Sequence, residues 1–109
     1  STFGHALIAT EDRSHLDEAE RILRAAVGKD RQNPFAWYQL GIVYGQRDDI
    51  PRARLATAEQ QLMSGNMMAA LQNAEAASGA LPQDTPDALR AQDIAMVARA
   101  ELERERERR

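Results

Sequence analysis

The chain has 109 residues, of which 43% are hydrophobic and 28% are charged, and its formal net charge is −3. This length suits one domain, and the slightly acidic balance without a cluster of lysine or arginine argues against a nucleic-acid partner. The absence of cysteine excludes disulfides, thiol catalysis and thiolate metal sites. The apolar runs are too short to cross a bilayer, so we expect a soluble chain without a transmembrane segment.

The N-terminal part of the chain predicts a short, partial helix followed by a longer one. Residues 4–10 are mostly apolar, and the polar residues 11–14 are interpreted as a break. Ser14 and Asp17 resemble a capping box that opens the second helix. Apolar residues then recur at helical spacing until Gly28, which predicts the end of that helix.

Turn and cap signals divide the middle of the chain into two further helices. Asn33 and Pro34 combine a cap with a proline at the first helical position, which predicts a helix that stops near residues 46–49. Pro51 begins the next predicted helix. This helix is predicted to end before Gly65, because glycine favours the left-handed conformation that commonly follows a helix.

The C-terminal part predicts a helix over residues 67–78 and a last helix that begins at Thr85 and Pro86. No segment has the alternation of a strand, so the predicted fold class is all-α. The short links predict consecutive helical hairpins, with about five helices plus the partial one at the N-terminus.

Four of the five aromatic residues lie between positions 35 and 44, and their spacing indicates a repeat. Trp37, Leu40, Gly41 and Tyr44 reproduce the W-x2-L-G-x2-Y element of the tetratricopeptide repeat, and Ala53 takes the position of its later alanine. On a helix the first four share one face, where the glycine permits close approach and the larger side chains fill the gaps. These residues are therefore predicted to pack between helices rather than to catalyse a reaction.

A second, degenerate copy overlaps the first, because Ala70 follows Ala53 by 17 residues, half of the usual period of about 34. Ala70, Ala77 and Pro82 take the packing positions of that copy. One helix must then belong to both copies and pack through two faces. The face with small side chains consists of Ala53, Ala56 and Thr57, and the face with larger side chains consists of Leu55, Ala58 and Leu62. The prediction is a short α-solenoid forming one domain over residues 1–109, with a partial repeat at 1–32, the best repeat at 33–64, the overlapping repeat at 51–84 and a capping helix at 85–109.

The outward positions of the best repeat form a candidate partner-binding groove: Phe35, Tyr38, Ile42 and Gln46. In tetratricopeptide repeats these positions usually face the concave groove, where an extended peptide or a helix can bind. Burial against a neighbouring helix is the alternative for the three apolar residues.

The whole chain also resembles one class of such domains. The segments "LDEAERILRAAV", "NPFAWYQLGIVYG", "ARLATAEQQLMSGNMMAALQNAEAA" and "LPQDTPDALRAQDI" are similar to the C-terminal region of bacterial zinc metallopeptidases of metallopeptidase family forty-eight, the type that includes the β-barrel assembly-enhancing protease. The resemblance covers nearly all of residues 4–98. It implies a periplasmic location and a role in engaging the outer-membrane assembly machinery or its substrates.

The resemblance does not extend to catalysis, because the chain has no His-Glu-x-x-His motif. His5 and His15 are separated by a predicted break, so they are expected to be exposed or to cap helices rather than to bind a metal. We therefore expect a non-catalytic fragment without a cofactor, with zinc only in a protease domain outside this sequence. Arg90, Gln92 and Asp93 are expected to hold the last helix in place.

The leading functional hypothesis is a protein–protein interaction module. One alternative is an intramolecular role, in which the repeats pack on the protease domain and gate its zinc site. Another is an adaptor from an unrelated cytoplasmic complex. A dimer through the incomplete first repeat near Gly4 is a further expectation.

Overall fold

A computed structural model of the chain describes residues 2–108, and the side chains of residues 13–108. It contains five α-helices, which are α1 (Thr2–Lys29), α2 (Pro34–Gln46), α3 (Ile50–Ser64), α4 (Met67–Ala80) and α5 (Pro86–Arg108). The described residues include no β-strand, in agreement with the predicted all-α class. None of these helices is both long enough and apolar enough to cross a membrane.

The N-terminal region is a single helix, so the predicted break at residues 11–14 and the capping box at Ser14 were wrong. Helix α1 continues without interruption from Thr2 to Lys29. The segment 11–14 contains neither glycine nor proline, and an aspartate or serine inside a helix costs only about 0.5 kcal/mol relative to alanine. The partial first helix is therefore the beginning of α1, and residues 2–108 form five helices.

Side-chain caps define the beginnings of the other four helices. Each cap oxygen accepts a hydrogen bond from the backbone N–H three residues later, and the capping residues are Asn33, Asp49, Asn66 and Thr85. Each cap satisfies one of the free N–H groups of a first helical turn, which stabilises a helix by about 1 kcal/mol. Helix α3 thus begins one residue before Pro51.

Gly65 ends a helix as predicted, whereas Gly28 does not, because α1 continues through Gly28 to Lys29. Helix α3 ends at Gly65, whose φ of 83° is the left-handed conformation that glycine adopts without strain. Helix α4 instead continues through Gly79 to Ala80. A single glycine in a helix costs about 1 kcal/mol, which does not end the helix where its other residues are held by packing.

The helices pack in chain order, and each one contacts the next. Helix α3 also contacts α5, so the C-terminal part of the molecule is three helices thick. The links at residues 30–33, 47–49, 65–66 and 81–85 are short, which makes consecutive helices antiparallel neighbours. The resulting array is elongated, with extents of 60 × 26 × 26 Å.

Helix α3 separates two hydrophobic clusters. Ala56 packs in the first cluster, with Trp37, Leu40 and Tyr44 of α2. Leu55 and Ala58 belong to the second cluster, which lies between α3, α4 and α5. The small and large faces predicted for this helix are therefore the two faces that it buries.

The second cluster is built largely from alanine. Its alanines have relative exposures between 0% and 6%, and they are Ala58, Ala70, Ala74, Ala77, Ala88, Ala91, Ala95 and Ala98. Ile94 is the largest fully buried apolar side chain in this cluster. Small side chains let helix axes approach closely, so α3, α4 and α5 stack without large aromatic residues.

Candidate functional site

A cavity of about 420 Å³ lies between α1, α2, α3 and the beginning of α5. Its floor is the buried face of α2, where Trp37, Leu40 and Tyr44 stand side by side. These are three residues of the predicted repeat motif, spaced so that one helical face presents all of them. The indole N–H of Trp37 donates a 3.0 Å hydrogen bond to the carbonyl oxygen of Arg31, which ties the α1–α2 link to the cavity wall.

Charged side chains form the rim of this cavity. Four arginines and two carboxylates are among its lining residues, and these are Arg24, Arg31, Arg52, Arg90, Glu59 and Asp87. They come from α1, the α1–α2 link, α3 and α5. Ion pairs across this space therefore connect helices that are far apart in the chain.

Glu59 of α3 is the buried centre of one ion-pair group. It is 1% exposed, and its two carboxylate oxygens accept hydrogen bonds from Arg90 at 2.9 Å and 2.7 Å. Arg90 also donates to Asp93 at 2.8 Å. The hydrogen bonds to Glu59 are the main cause that raises the pKa of Arg90, against the opposing effect of burial. A bidentate pair of this kind fixes the distance between α3 and α5.

Asp87, in the first turn of α5, is the centre of a second group. It accepts a 2.9 Å hydrogen bond from Nε of Arg52, whose Nη1 donates to Asp49 at 2.9 Å. The bonds to Asp87 and Asp49 raise the pKa of Arg52. Arg24 of α1 lies 3.9 Å from the same Asp87 oxygen. One carboxylate thus links α1, α3 and α5.

Tyr44 joins the apolar floor to the charged rim. Nε of Arg24 donates a 2.6 Å hydrogen bond to the phenol oxygen, and the guanidinium carbon lies 5.8 Å from the ring centroid. That hydrogen bond is the main cause that raises the pKa of Arg24. Burial raises the pKa of Tyr44, and the contact with Arg24 opposes that effect. Tyr44 therefore remains a neutral phenol at physiological pH.

The predicted groove residues lie on the other side of α2. Phe35, Tyr38 and Ile42 are 65%, 55% and 45% exposed, and Gln46 is exposed beside them. None of the four lines the cavity described above. Their common face is a stripe along α2, and Ile42 at its centre lines a separate shallow depression of about 300 Å³ between α1 and α2.

The predicted packing residues are mostly buried. Trp37, Leu40 and Tyr44 are at most 9% exposed, and Ala70 and Ala77 are fully buried.

Gly41 lies against α3, because a Cβ added there would stand 3.4 Å from Oγ1 of Thr57 and 3.7 Å from the carbonyl oxygen of Ala53. Ala53 is half-buried and Pro82 is exposed; the buried residue at that turn is Leu81.

The remaining predicted positions contribute no cluster of ligands. His15 is exposed on α1, and the side chains of His5 and of the segment around Gly4 lie outside the described residues. Among residues 13–108, no three histidine, aspartate or glutamate side chains are grouped so that they could hold a metal ion. Of the three residues expected to hold the last helix, Arg90 and Asp93 bond to each other and Arg90 reaches α3, while Gln92 is exposed.

Sequence reasoning missed Glu59 and the three arginines at positions 24, 31 and 52. One signal was available for Glu59, because it follows Leu55 by four residues and precedes Leu62 by three, on the apolar face of a predicted helix. A buried, charged carboxylate at such a position needs a cationic partner. The sequence does not say which arginine supplies it.

No protein-family model matches the chain, and comparisons with curated proteins and with solved structures give no match.

Proposed function

We propose that the chain is a tetratricopeptide-like helical module that binds a protein partner through the exposed stripe of α2. The observation that carries this proposal is the exposure of Phe35, Tyr38 and Ile42 on one face of a single helix. Large apolar side chains that are grouped and exposed mark interaction sites more often than isolated ones do. Ile22 of α1, which is 56% exposed and lines the same shallow depression as Ile42, widens the apolar surface.

The solenoid arrangement is part of the same proposal. It is supported by the packing of helices in chain order and by the contact of the Gly41 face of α2 with α3. A solenoid presents one residue of each turn of its helices along an extended surface, which suits the recognition of a helix or an extended peptide. In this arrangement α2 supplies the contact surface, and the buried side of the same helix holds it in place.

The partner is proposed from the resemblance of the chain to the C-terminal region of family-forty-eight zinc metallopeptidases. On that basis the chain is a non-catalytic, periplasmic accessory region, and its partner is a component of the outer-membrane assembly machinery. The chain's own protease domain is the competing partner. The outer-membrane component and the protease domain are different proteins, so one capture experiment distinguishes between these two partners.

The test uses the immobilised domain, a detergent extract of outer membranes and the separately purified protease domain. The test variant is Tyr38→Ala with Ile42→Ala, and the matched control is Leu89→Ala with Met96→Ala. The control removes two apolar side chains of α5 that are 54% and 61% exposed. Capture of assembly components by the parent domain and the control, but not by the test variant, supports the proposal.

Two results would contradict it. Equal capture by all three proteins would mean that the α2 stripe is not the contact surface. Capture of the protease domain alone would replace the external partner by the intramolecular role. Circular dichroism of each variant confirms that the helical content is unchanged before capture is compared.

A further inference from the structure

Helix α2 exposes a face that carries no charge. The 13 residues of this helix include no charged side chain, whereas each of the other four described helices contains at least one. Its exposed positions are Pro34, Phe35, Tyr38, Gln39, Ile42, Gly45 and Gln46. Nothing along this face could pair with a charge, so the contacting surface of whatever covers it must also be uncharged.

An uncharged face is also what contact between two copies of one chain requires. In a twofold dimer the residues close to the symmetry axis meet the same residues of the second copy, so any charge there faces a like charge. The exposed apolar residues of α5 do not meet this condition. Asp93 lies between Leu89 and Met96 on the same side of that helix, and a dimer through α5 would bring the two Asp93 carboxylates towards each other.

The exposed residues of α2 are arranged symmetrically about the middle of the helix. Phe35, Tyr38, Ile42 and Gly45 follow one another at intervals of three, four and three residues, which places them on one face. When a second α2 lies antiparallel to the first, with the twofold axis midway along this face, Tyr38 of each copy faces Ile42 of the other and Phe35 faces Gly45. Gly45 leaves space for a phenylalanine ring, because a Cβ added there would meet nothing within 4 Å.

The shallow depression between α1 and α2 provides a place for the tyrosine ring. It has a volume of about 300 Å³, and Ile42 lines it together with Ile22 and Leu23 of α1. Because Tyr38 of the second copy faces Ile42, its ring can enter this depression and bury apolar surface there. Gln39 also lines the depression, and its side-chain amide is a hydrogen-bond partner for the tyrosine hydroxyl.

The dipole of α2 favours the same antiparallel arrangement. The N-terminus of a helix carries a partial positive charge and its C-terminus a partial negative charge, so antiparallel neighbours place opposite charges side by side. Asp48 is exposed just after the C-terminal end of α2. In the antiparallel pair it lies near the N-terminus of the other α2, where the dipole favours an acidic group.

We propose that two copies of the chain associate through antiparallel α2 helices when no other protein occupies the α2 stripe. The contact is made mainly by one helix from each copy, so it is smaller than a standard interface of about 1,600 Å² and its association is weak and reversible. The dimer covers the surface assigned above to partner binding, so a partner must displace the second copy. That consequence rests on the proposed function, whereas the dimer itself does not.

Sedimentation equilibrium of the parent chain measures the association directly. We expect the apparent mass to rise from the 12.1 kDa of the monomer towards twice that value between about 5 and about 500 µM protein, a range suited to a small interface. Tyr38→Glu and Ile42→Lys are each expected to remain monomeric, because each places an unpaired charge in an uncharged contact. The replaced side chains are 55% and 45% exposed, so the core is left intact, and circular dichroism checks the helical content of each variant.

A mixture of the two variants tests the antiparallel arrangement. In the mixed dimer the introduced carboxylate faces the introduced ammonium group, and the other contact keeps its original tyrosine and isoleucine. The equimolar mixture is therefore expected to regain the dimer. The matched control is Met96→Lys on α5, which places a charge at another exposed apolar residue, 61% exposed, and is expected to associate like the parent chain.

Three results would overturn the proposal. The first is a parent chain that remains monomeric over the whole concentration range, a result that needs no variant. The second is undiminished association of Tyr38→Glu and Ile42→Lys, which would place the contact on another surface. The third is a pair of monomeric variants that do not associate when mixed, which would exclude the antiparallel pairing. The capture experiment described above tests partner binding separately, so either proposal can fail without the other.

Discussion

Arg90 of α5 and Glu59 of α3 form a two-point contact across the molecule, with Nε and Nη2 of the arginine donating to the two oxygens of the carboxylate. Their positions in the chain differ by 31 residues. Glu59 is almost completely buried, whereas Arg90 is about one-third exposed. Arg90 therefore covers a buried negative charge. The pair connects α3 to α5, the helices that precede and follow α4 in the chain.

We expect a single substitution at Glu59 or Arg90 to lower stability mainly by breaking the contact between them. Arg90→Leu leaves a buried carboxylate with only the longer contact to Arg31, and we expect it to lower the free energy of unfolding by about 3 kcal/mol. The double variant Glu59→Leu with Arg90→Leu removes both charges, and it is expected to recover most of that loss. Urea unfolding followed by circular dichroism measures both values. A double variant no more stable than Arg90→Leu would show that the buried charge is not the cause.

Gly41 is expected to tolerate alanine but not a large side chain. An added Cβ at Gly41 would make ordinary contacts of 3.4–3.7 Å with α3, whereas Gly45 has nothing within 4 Å. Alanine gains about 0.5–1 kcal/mol over glycine in a helix, so Gly41→Ala is expected to be no less stable than the parent chain. Gly41→Leu is expected to cost about 2 kcal/mol through overpacking.

Gly45→Ala is the matched control for the previous prediction, because it changes the same helix without a neighbouring contact. Urea unfolding of the three variants separates helix propensity from packing. If Gly41→Ala proved as destabilising as Gly41→Leu, the α2–α3 contact would have to be tighter than the structure has it.

The alanine cluster between α3, α4 and α5 is expected to reject larger residues. Ala74 is fully buried, and Ala74→Leu is expected to destabilise the chain by about 2 kcal/mol or more, because the extra atoms have no space. Ala76→Leu, at an exposed position of the same helix, is expected to stay within about 0.5 kcal/mol. Thermal unfolding of both variants tests this. Equal losses would argue against close packing at Ala74.

Tyr44 is expected to make stability depend on alkaline pH. Burial raises its pKa, so ionisation is less favourable in the folded chain than in the unfolded one. The contribution of neutral Tyr44 to stability is complete below the pKa of about 10 that tyrosine has in the unfolded chain. It is lost as the pH rises through the higher pKa that Tyr44 has in the folded chain. In a Tyr38→Phe background Tyr44 is the only tyrosine, and the absorbance of tyrosinate follows it directly.

The same variant supplies the control for this prediction. Unfolded in urea, the single tyrosine is expected to ionise at its ordinary pKa, below that of the folded chain. Coincident titration curves for the folded and unfolded chains would mean that burial at Tyr44 has no effect on its ionisation.

Local signals predicted most helix boundaries, and one short polar segment misled the prediction. Asn33 and Thr85 cap helices where expected, and Gly65 ends one. The polar residues 11–14 indicated a break, but polar side chains alone do not interrupt a helix. The contacts made by Glu59 could not be predicted, because several arginines were equally available as partners.

The sequence by itself determined the all-α class, the caps and the two faces of α3, since these depend on residues within one or two helical turns of each other. Only the tertiary structure decided that Arg24, Arg52 and Asp87 meet around one cavity and that the stripe of Phe35, Tyr38 and Ile42 faces away from it. The physical reason is distance along the chain. Arg52 and Asp87 are 35 residues apart, and the positions of such residues relative to each other depend on how three helices pack together.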